Sequence, residues 1–251
     1  MPSASIAGRA AALRLVAPSI SAKAGGTNAR PFELAQQKLA SQKRPVRPTF
    51  VRPLIPSSAK IPPRGADWIH EPKWDGYRFQ VLKNGRAVKL YARGRVDHSD
   101  RLLRMAEWFT NLPAHSAVLD GELCLLPASG LPDFRMLFAE MRKRQPDETQ
   151  LMFLAFDLLH QDGLDLRRLP LTERKRDLHR LCASSRIPFL RLVQAFPDGA
   201  VLLEHCEKFG FEGIVSKRLG SRYMSGLSRA WVKVKCAGWK AANENRAELF
   251  E

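Results

Sequence analysis

Eight consecutive residues, Glu71-Pro72-Lys73-Trp74-Asp75-Gly76-Tyr77-Arg78, carry the most pointed chemistry in this 251-residue sequence. A lysine amine attacks phosphorus only after losing its proton, which burial and neighbouring cations both promote. A metal-bound triphosphate would supply the electrophile. Gly76 would let backbone approach a ligand closely, and Arg78 would offer a forked donor to phosphate or sugar oxygens. Alone the octapeptide is moderately specific, because Lys-x-Asp-Gly also arises in surface turns.

The surrounding patterns say how these residues are held. Tyr77-Arg78-Phe79-Gln80-Val81-Leu82 and Ala87-Val88-Lys89-Leu90-Tyr91 both alternate, with Asn84-Gly85 between them. That predicts a β-hairpin, since Asn-Gly accepts the positive φ angles of a tight turn. Lys73 then ends a strand that leads into the hairpin. Ala117–Leu126 and Leu151–Leu159 read as buried strands, and Gly213–Arg218 and Ala230–Cys236 as shorter ones. Helices are expected from a Ser99 cap to Leu112 and over Leu131–Arg144, where Phe134, Leu137, Phe138 and Met141 share a face. Two more should run from Thr172 to Ser184 and between an Asp198 cap and Gly210. Hairpins mixed with strand–helix alternation favour an α+β class with antiparallel sheets.

Composition narrows the partner. Lys and Arg number 41 against 25 Asp and Glu, a net charge of +16, while 45% hydrophobic residues leave material for a real core. No run approaches the 18 or so apolar residues of a membrane span, so a polyanion, nucleic acid before a membrane surface, is the expected partner. The charge is uneven. Residues 1–52 hold nine Lys or Arg against one acid, Glu33, and residues 213–243 hold seven against none. Residues 1–52, rich in Pro and Ala, read as a mobile basic arm with a short helix around Ser5–Val16; a transit peptide shares this composition, but a plain tail is simpler. Four scattered cysteines lack any Cys-x-x-Cys pair and fit buried thiols in a reducing compartment rather than zinc or disulfides.

The other candidates have plain readings when taken singly. Lys233 and Lys235 suit a solvated strand face, Phe153 and Phe156 a core, Asp120-Gly121 a turn, and Trp74 and Trp231 packing. Their order changes this. Lys73-Trp74-Asp75-Gly76-Tyr77-Arg78 resembles the nucleotidyltransferase motif of ATP-dependent DNA ligases and mRNA capping enzymes. Tyr91-Ala92-Arg93-Gly94-Arg95 is similar to the Ser-Arg element after the first hairpin, and Leu119-Asp120-Gly121-Glu122-Leu123 to the Asp-Gly-Glu motif. Then come Phe153–Leu159, like the aromatic strand before Asp-Leu-Leu, Glu212-Gly213-Ile214-Val215-Ser216-Lys217, like Glu-Gly-x-x-x-Lys, and the closing Trp231-Val232-Lys233-Val234-Lys235. Six ordered elements over roughly residues 50–240 identify the sequence as similar to this family.

The resemblance implies two packed, mainly antiparallel sheets flanked by helices, the ATP-grasp-like adenylation fold of DNA ligases, over residues 53–240, with 241–251 as a tail. It implies that Lys73 is the nucleophile, taking AMP from ATP and releasing pyrophosphate. Glu71 would lie beside the adenine and Phe156 would stack on it; Arg78 and Glu122 would hold the ribose, with Arg93 near sugar and nucleic-acid phosphate. Lys233 and Lys235 would contact the α-phosphate, and Lys217 the nucleotide from the opposite wall. Asp75, Gly76 and Asp120 would support the site. Glu122 and Glu212 would be the metal carboxylates, and their hard oxygens suit Mg²⁺ or Mn²⁺.

Two features depart from the family. Ala92 stands where Ser or Thr is usual, and Gly94-Arg95 replaces the common order after the arginine. Only fifteen residues follow Cys236, too few for the OB-fold domain that normally grips the duplex. The arm of residues 1–52 would then replace part of that grip by releasing counterions from phosphates. The expected function is the core of a bacterial-type DNA ligase that joins nicks or breaks during repair or recombination. Its partners would be DNA and a protein that supplies an OB fold or bridges ends, in the cytoplasm and on the nucleoid. Capping or RNA-ligase chemistry is one alternative, and a non-sealing DNA-binding accessory subunit is another.

Overall fold

Among residues 46–128 and 130–243, which the computed structural model describes, the chain forms ten strands and five α-helices. In chain order they are β1 (Leu54–Ser58), β2 (Trp68–Lys73), β3 (Tyr77–Asn84), β4 (Ala87–Ala92), α1 (Leu103–Phe109), β5 (Ser116–Leu125), α2 (Phe134–Arg142), β6 (Leu151–Gln161), β7 (Leu164–Asp165), α3 (Leu171–Ser184), β8 (Leu190–Leu192), α4 (Gly199–Phe209), β9 (Gly213–Arg218), β10 (Gly226–Lys235) and α5 (Ala237–Ala242). The helix expected around Ser5–Val16 and most of the tail lie outside the described residues. No helix among the described residues is long and apolar enough to cross a membrane.

Two sheets result, mainly antiparallel as expected. One has the order β1-β10-β9-β2, with only β1 and β10 parallel. The other runs β4-β3-β5-β6-β7, antiparallel throughout, and β8 joins β6 in parallel. Alternation sends neighbouring side chains to opposite faces. Val81, Leu119 and Leu158 face the larger core, which α1, α2 and α3 cover with Met105, Phe109, Leu137 and Leu178. Leu82, Val118 and Leu159 face the other sheet and meet Leu54, Ile69 and Trp231. Strands β5 and β6 are buried on both faces, which is why they read as near-continuous apolar runs. On the outer side of the four-stranded sheet, Leu202 and Cys206 of α4 pack on Ile214 and Val234.

Local details correct several boundaries. Asn84 pairs with Ala87, so the hairpin loop is Gly85-Arg86 rather than Asn84-Gly85; Gly85 takes the positive φ, 59°, and its N–H donates to the His115 carbonyl at 2.8 Å. Ser99 caps no helix. Its hydroxyl accepts from the Leu90 N–H at 3.0 Å while its own N–H donates to Asp97, and the first turn of α1 is capped instead by Glu148, whose carboxylate accepts from the Arg104 and Met105 N–H groups. Asp133 caps α2, which begins at Phe134, three residues inside the expected start. Asp198 caps α4, and Gly210 ends it in the left-handed conformation at φ 77°, both as expected.

Residues 46–52, assigned to the arm by composition, lie against the sheet. Val51 and the Gln80 side chain exchange two hydrogen bonds of 3.0 and 2.7 Å, Val46 N–H donates to Gly163, and Phe50 packs edge-on to Tyr91. A side chain serves as the backbone's partner here, so no alternating pattern marks the segment. Strand β1 has no clear strand signature in sequence because it contains Pro56, which an edge strand tolerates.

Candidate active site

A cleft of about 480 Å³ opens between the sheets, lined from one side by β2, β9 and β10 and from the other by β3, β5 and β6. Nine of the expected residues line it: Glu71, Lys73, Gly76, Arg78, Arg93, Glu122, Phe156, Lys217 and Lys233. Asp75, Asp120, Glu212 and Lys235 are not part of that lining.

Strand register builds the end of the cleft that holds Lys73. Lys73 pairs with Gly213, and Gly213 pairs with Lys235, so the ends of β2, β9 and β10 lie side by side. Glu212, one residue before β9, accepts from Lys73 Nζ at 2.6 Å through Oε2 and from Lys235 Nζ at 2.9 Å through Oε1. Burial pushes the Glu212 carboxyl up, but the two ammonium groups outweigh it and hold it below the ordinary glutamate range. Lys233, two residues from Lys235 on the same strand face, is lowered by burial and then by Lys73 and Lys235. Across the cleft, burial raises Glu122 to about 7; Lys73 and Arg78 oppose that rise, while Glu212 and Asp75 add to it. Arg93 is exposed at the mouth, after β4.

The other end is closed by an ion-pair cluster. Glu71, 2% exposed, pairs with Lys217 at 2.6 Å and with Lys175 of α3. The Lys217 ammonium lies 4.4 Å from the Phe156 ring centre and 3.9 Å from that of Trp231, and burial lowers it to about 8 despite Glu71. Arg78 is engaged within the protein. Its Nε and Nη2 grip the two Asp120 oxygens at 3.0 and 2.6 Å, Nη1 donates to the Leu54 carbonyl, and the Tyr223 hydroxyl donates to Asp120 at 2.6 Å. The expectation that Arg78 offers a free fork to the ligand therefore meets a different arrangement: the guanidinium ties β3 to β1 and lies over Phe156 at 5.2 Å. Its pairing with Asp120, held against the cost of burial, lifts it above the ordinary arginine value.

Gly76 also has another reason for being glycine. A Cβ there would sit 2.2 Å from the Leu123 carbonyl oxygen, so the close approach is to β5 and not only to a ligand. Asp75 beside it is buried. No sequence signal points to Lys175 or Tyr223: Lys175 is hidden in a basic helical run, and nothing in the spacing of Tyr223 links it to Asp120, 103 residues away. Trp231, read as packing, forms part of the cleft wall.

The donor set suits a hard divalent cation. Among the described residues no three His, Cys, Asp or Glu groups form a complete metal cage. Glu212 lies against Lys73 and Glu122 is near enough to feel its charge; two carboxylates would fit a cation that keeps waters and shares substrate phosphates, as Mg²⁺ does.

Comparison with known proteins gives a consistent result. The ATP dependent DNA ligase domain family matches residues 54–235. The multifunctional non-homologous end joining protein LigD of Pseudomonas aeruginosa is 34% identical over 190 residues, covering 75% of this chain and 22% of LigD. A probable DNA ligase of Rhodococcus jostii is 34% identical over 225 residues, 88% of this chain and 43% of the ligase. Mycobacterial DNA ligase D, solved with ATP and MES, superposes with a TM-score of 0.62 at 32% identity, over 73% of this chain and 59% of that one. The chain thus spans less than half the length of these curated relatives. With its motifs gathered in order around one cleft, the chain belongs to the ATP-dependent DNA ligase domain family.

Proposed function

We propose that this domain charges Lys73 with AMP from ATP and passes it to a DNA 5′-phosphate so that a neighbouring 3′-hydroxyl can seal the strand. The observation that carries the proposal is the Lys73 amine at the end of β2, facing the cleft, 2.6 Å from Glu212 with Lys235 on the same carboxylate. Nζ bonds to the α-phosphorus while the bond from that phosphorus to the pyrophosphate oxygen breaks. Glu212 already accepts a hydrogen bond from Nζ, so the departing proton has an acceptor in place. Such displacement is mostly positioning and charge neutralisation, to which Lys233 and Lys235 contribute from one strand face. Glu122 and Glu212 would hold Mg²⁺ or Mn²⁺, which neutralises charge on the triphosphate. A DNA 5′-phosphate oxygen then attacks the same phosphorus, the N–P bond breaks and Lys73 is restored. Attack by the 3′-oxygen on the 5′-phosphate finally expels AMP. Phe156 supplies a flat wall for the base, and Glu71 a group at its edge. This work belongs with the bacterial chromosome, in the cytoplasm.

Incubation with labelled ATP or GTP and either metal, followed by denaturing electrophoresis, tests the first step. Label from ATP should stay on the chain, vanish in Lys73→Ala, and move to DNA in a nicked-duplex chase. Labelling from GTP instead would favour capping-type chemistry. No adduct with either nucleotide would remove the enzymatic reading and leave an accessory DNA binder.

A further inference from the structure

Lys175 is a helix residue whose charge is spent on the cleft. It lies on α3, yet its side chain is only 13% exposed because the ammonium turns inward to pair with Glu71 Oε1. The same Nζ lies 3.4 Å from the Phe156 carbonyl oxygen and 3.3 Å from that of Val193. An ammonium has three donors, and here three acceptors surround it. Glu71, Phe156 and Val193 all line the closed end of the cleft, and they come from β2, β6 and the segment after β8. One residue earlier, Arg174 clamps Asp157 through paired contacts of 2.8 and 2.9 Å, so α3 is anchored to β6 without help from Lys175. Holding the helix does not require the inward lysine.

We infer that Lys175 is a positioning residue for base selection, resting on the proposal that this cleft takes the adenylate. It fixes the Glu71 carboxylate and the Phe156 and Val193 carbonyls as one acceptor-rich edge. Such an edge suits a purine whose 6-position carries an amino donor. It disfavours a 6-oxo purine, whose oxygen would face carboxylate and carbonyl oxygens while the three Lys175 donors are already taken by Glu71, Phe156 and Val193. Without the ammonium, Glu71 keeps only Lys217 as a partner and can turn away from the base.

Equilibrium binding of AMP and IMP to the full chain, measured by calorimetry, separates this role from a structural one and needs neither metal nor charging. Lys175→Met should cut the preference for AMP over IMP about tenfold, the effect of a misplaced polar contact. Lys175→Arg, which keeps the charge and donors, should preserve most of it. Thermal melting reports whether each variant folds, and Lys175→Gln replaces the Met variant if that one does not. An unchanged AMP-to-IMP ratio in a folded variant without the charge would overturn the assignment. If the wild type charges Lys73 but the ratio does not move, only the Lys175 role falls. If selectivity collapses in the variant while the wild type forms no adduct, the Lys175 role stands and the charging reaction falls.

Discussion

At Gly213 the strand that starts beside the Lys73–Glu212–Lys235 cluster leaves no room for a side chain. An added Cβ would lie 2.1 Å from the Val234 carbonyl oxygen and 2.8 Å from Lys235 Cα, at a φ of 150°. Both obstacles are backbone, so β9 and β10 would have to separate where Glu212 meets Lys73 and Lys235. Gly213→Ala should therefore destabilise the fold by about 2–4 kcal/mol, combining overpacking with an unfavourable backbone region. It should also slow formation of the Lys73 adduct. Gly220→Ala is the control: nothing lies within 4 Å of its Cβ, and the change should stay within about 0.5 kcal/mol. Urea unfolding of both variants, with the adduct assay, checks this. Equal stability of the two would show that the strands yield at Gly213 without strain.

At the scale of elements, α3 is fixed to β6 by a fully buried pair. Arg174 and Asp157 are both unexposed, and the remaining Arg174 donor serves the Leu169 and Ser221 carbonyls at 2.7 and 2.9 Å. Removing one member strands a buried charge, so Asp157→Ala should cost about 3–5 kcal/mol. Asp157→Leu combined with Arg174→Met should recover part of that loss, because no charge is left unpaired. Additive losses in the double variant, read from chemical unfolding, would contradict this account. The same elements show what local patterns reveal. The Asp198 cap, the Gly210 stop and the apolar face of α2 depend on neighbours in sequence, and each lies where periodicity and capping place it. The start of α1 depends on Glu148, more than forty residues away, and the fixing of residues 46–52 depends on the Gln80 side chain; neither has a local signature. The cleft divides in the same way. The order of the motifs marks Lys73, Glu122, Glu212 and Lys233, whereas Lys175 and Tyr223 belong to it only through long-range contacts.

Across the whole molecule, buried titratable groups set how stability responds to pH. His70, His98 and His160 all fall below the ordinary value of 6.5, chiefly through burial; Asp198 opposes this for His70, Arg101 reinforces it for His98, and Asp165 opposes it for His160. Ser216 and Ser116 bond the His70 and His160 rings at 2.8 and 3.0 Å. Below about pH 6.5 the unfolded chain protonates these rings before the folded chain does, so each costs stability as pH falls. Glu122, raised to about 7, and Glu148, raised by burial, act in the opposite sense, because the folded form holds their protons more tightly. Between about pH 5.5 and 6.5 the three histidines therefore make stability climb with pH, and the two glutamates oppose that climb. His160→Gln should flatten that climb, and Glu122→Gln should steepen it, each by up to about 1.4 kcal/mol per pH unit. Urea midpoints measured across this range read the slope directly. Variants that both leave it unchanged would mean these groups titrate alike in the folded and unfolded chains, and that burial in the two-sheet core does not govern its acid sensitivity.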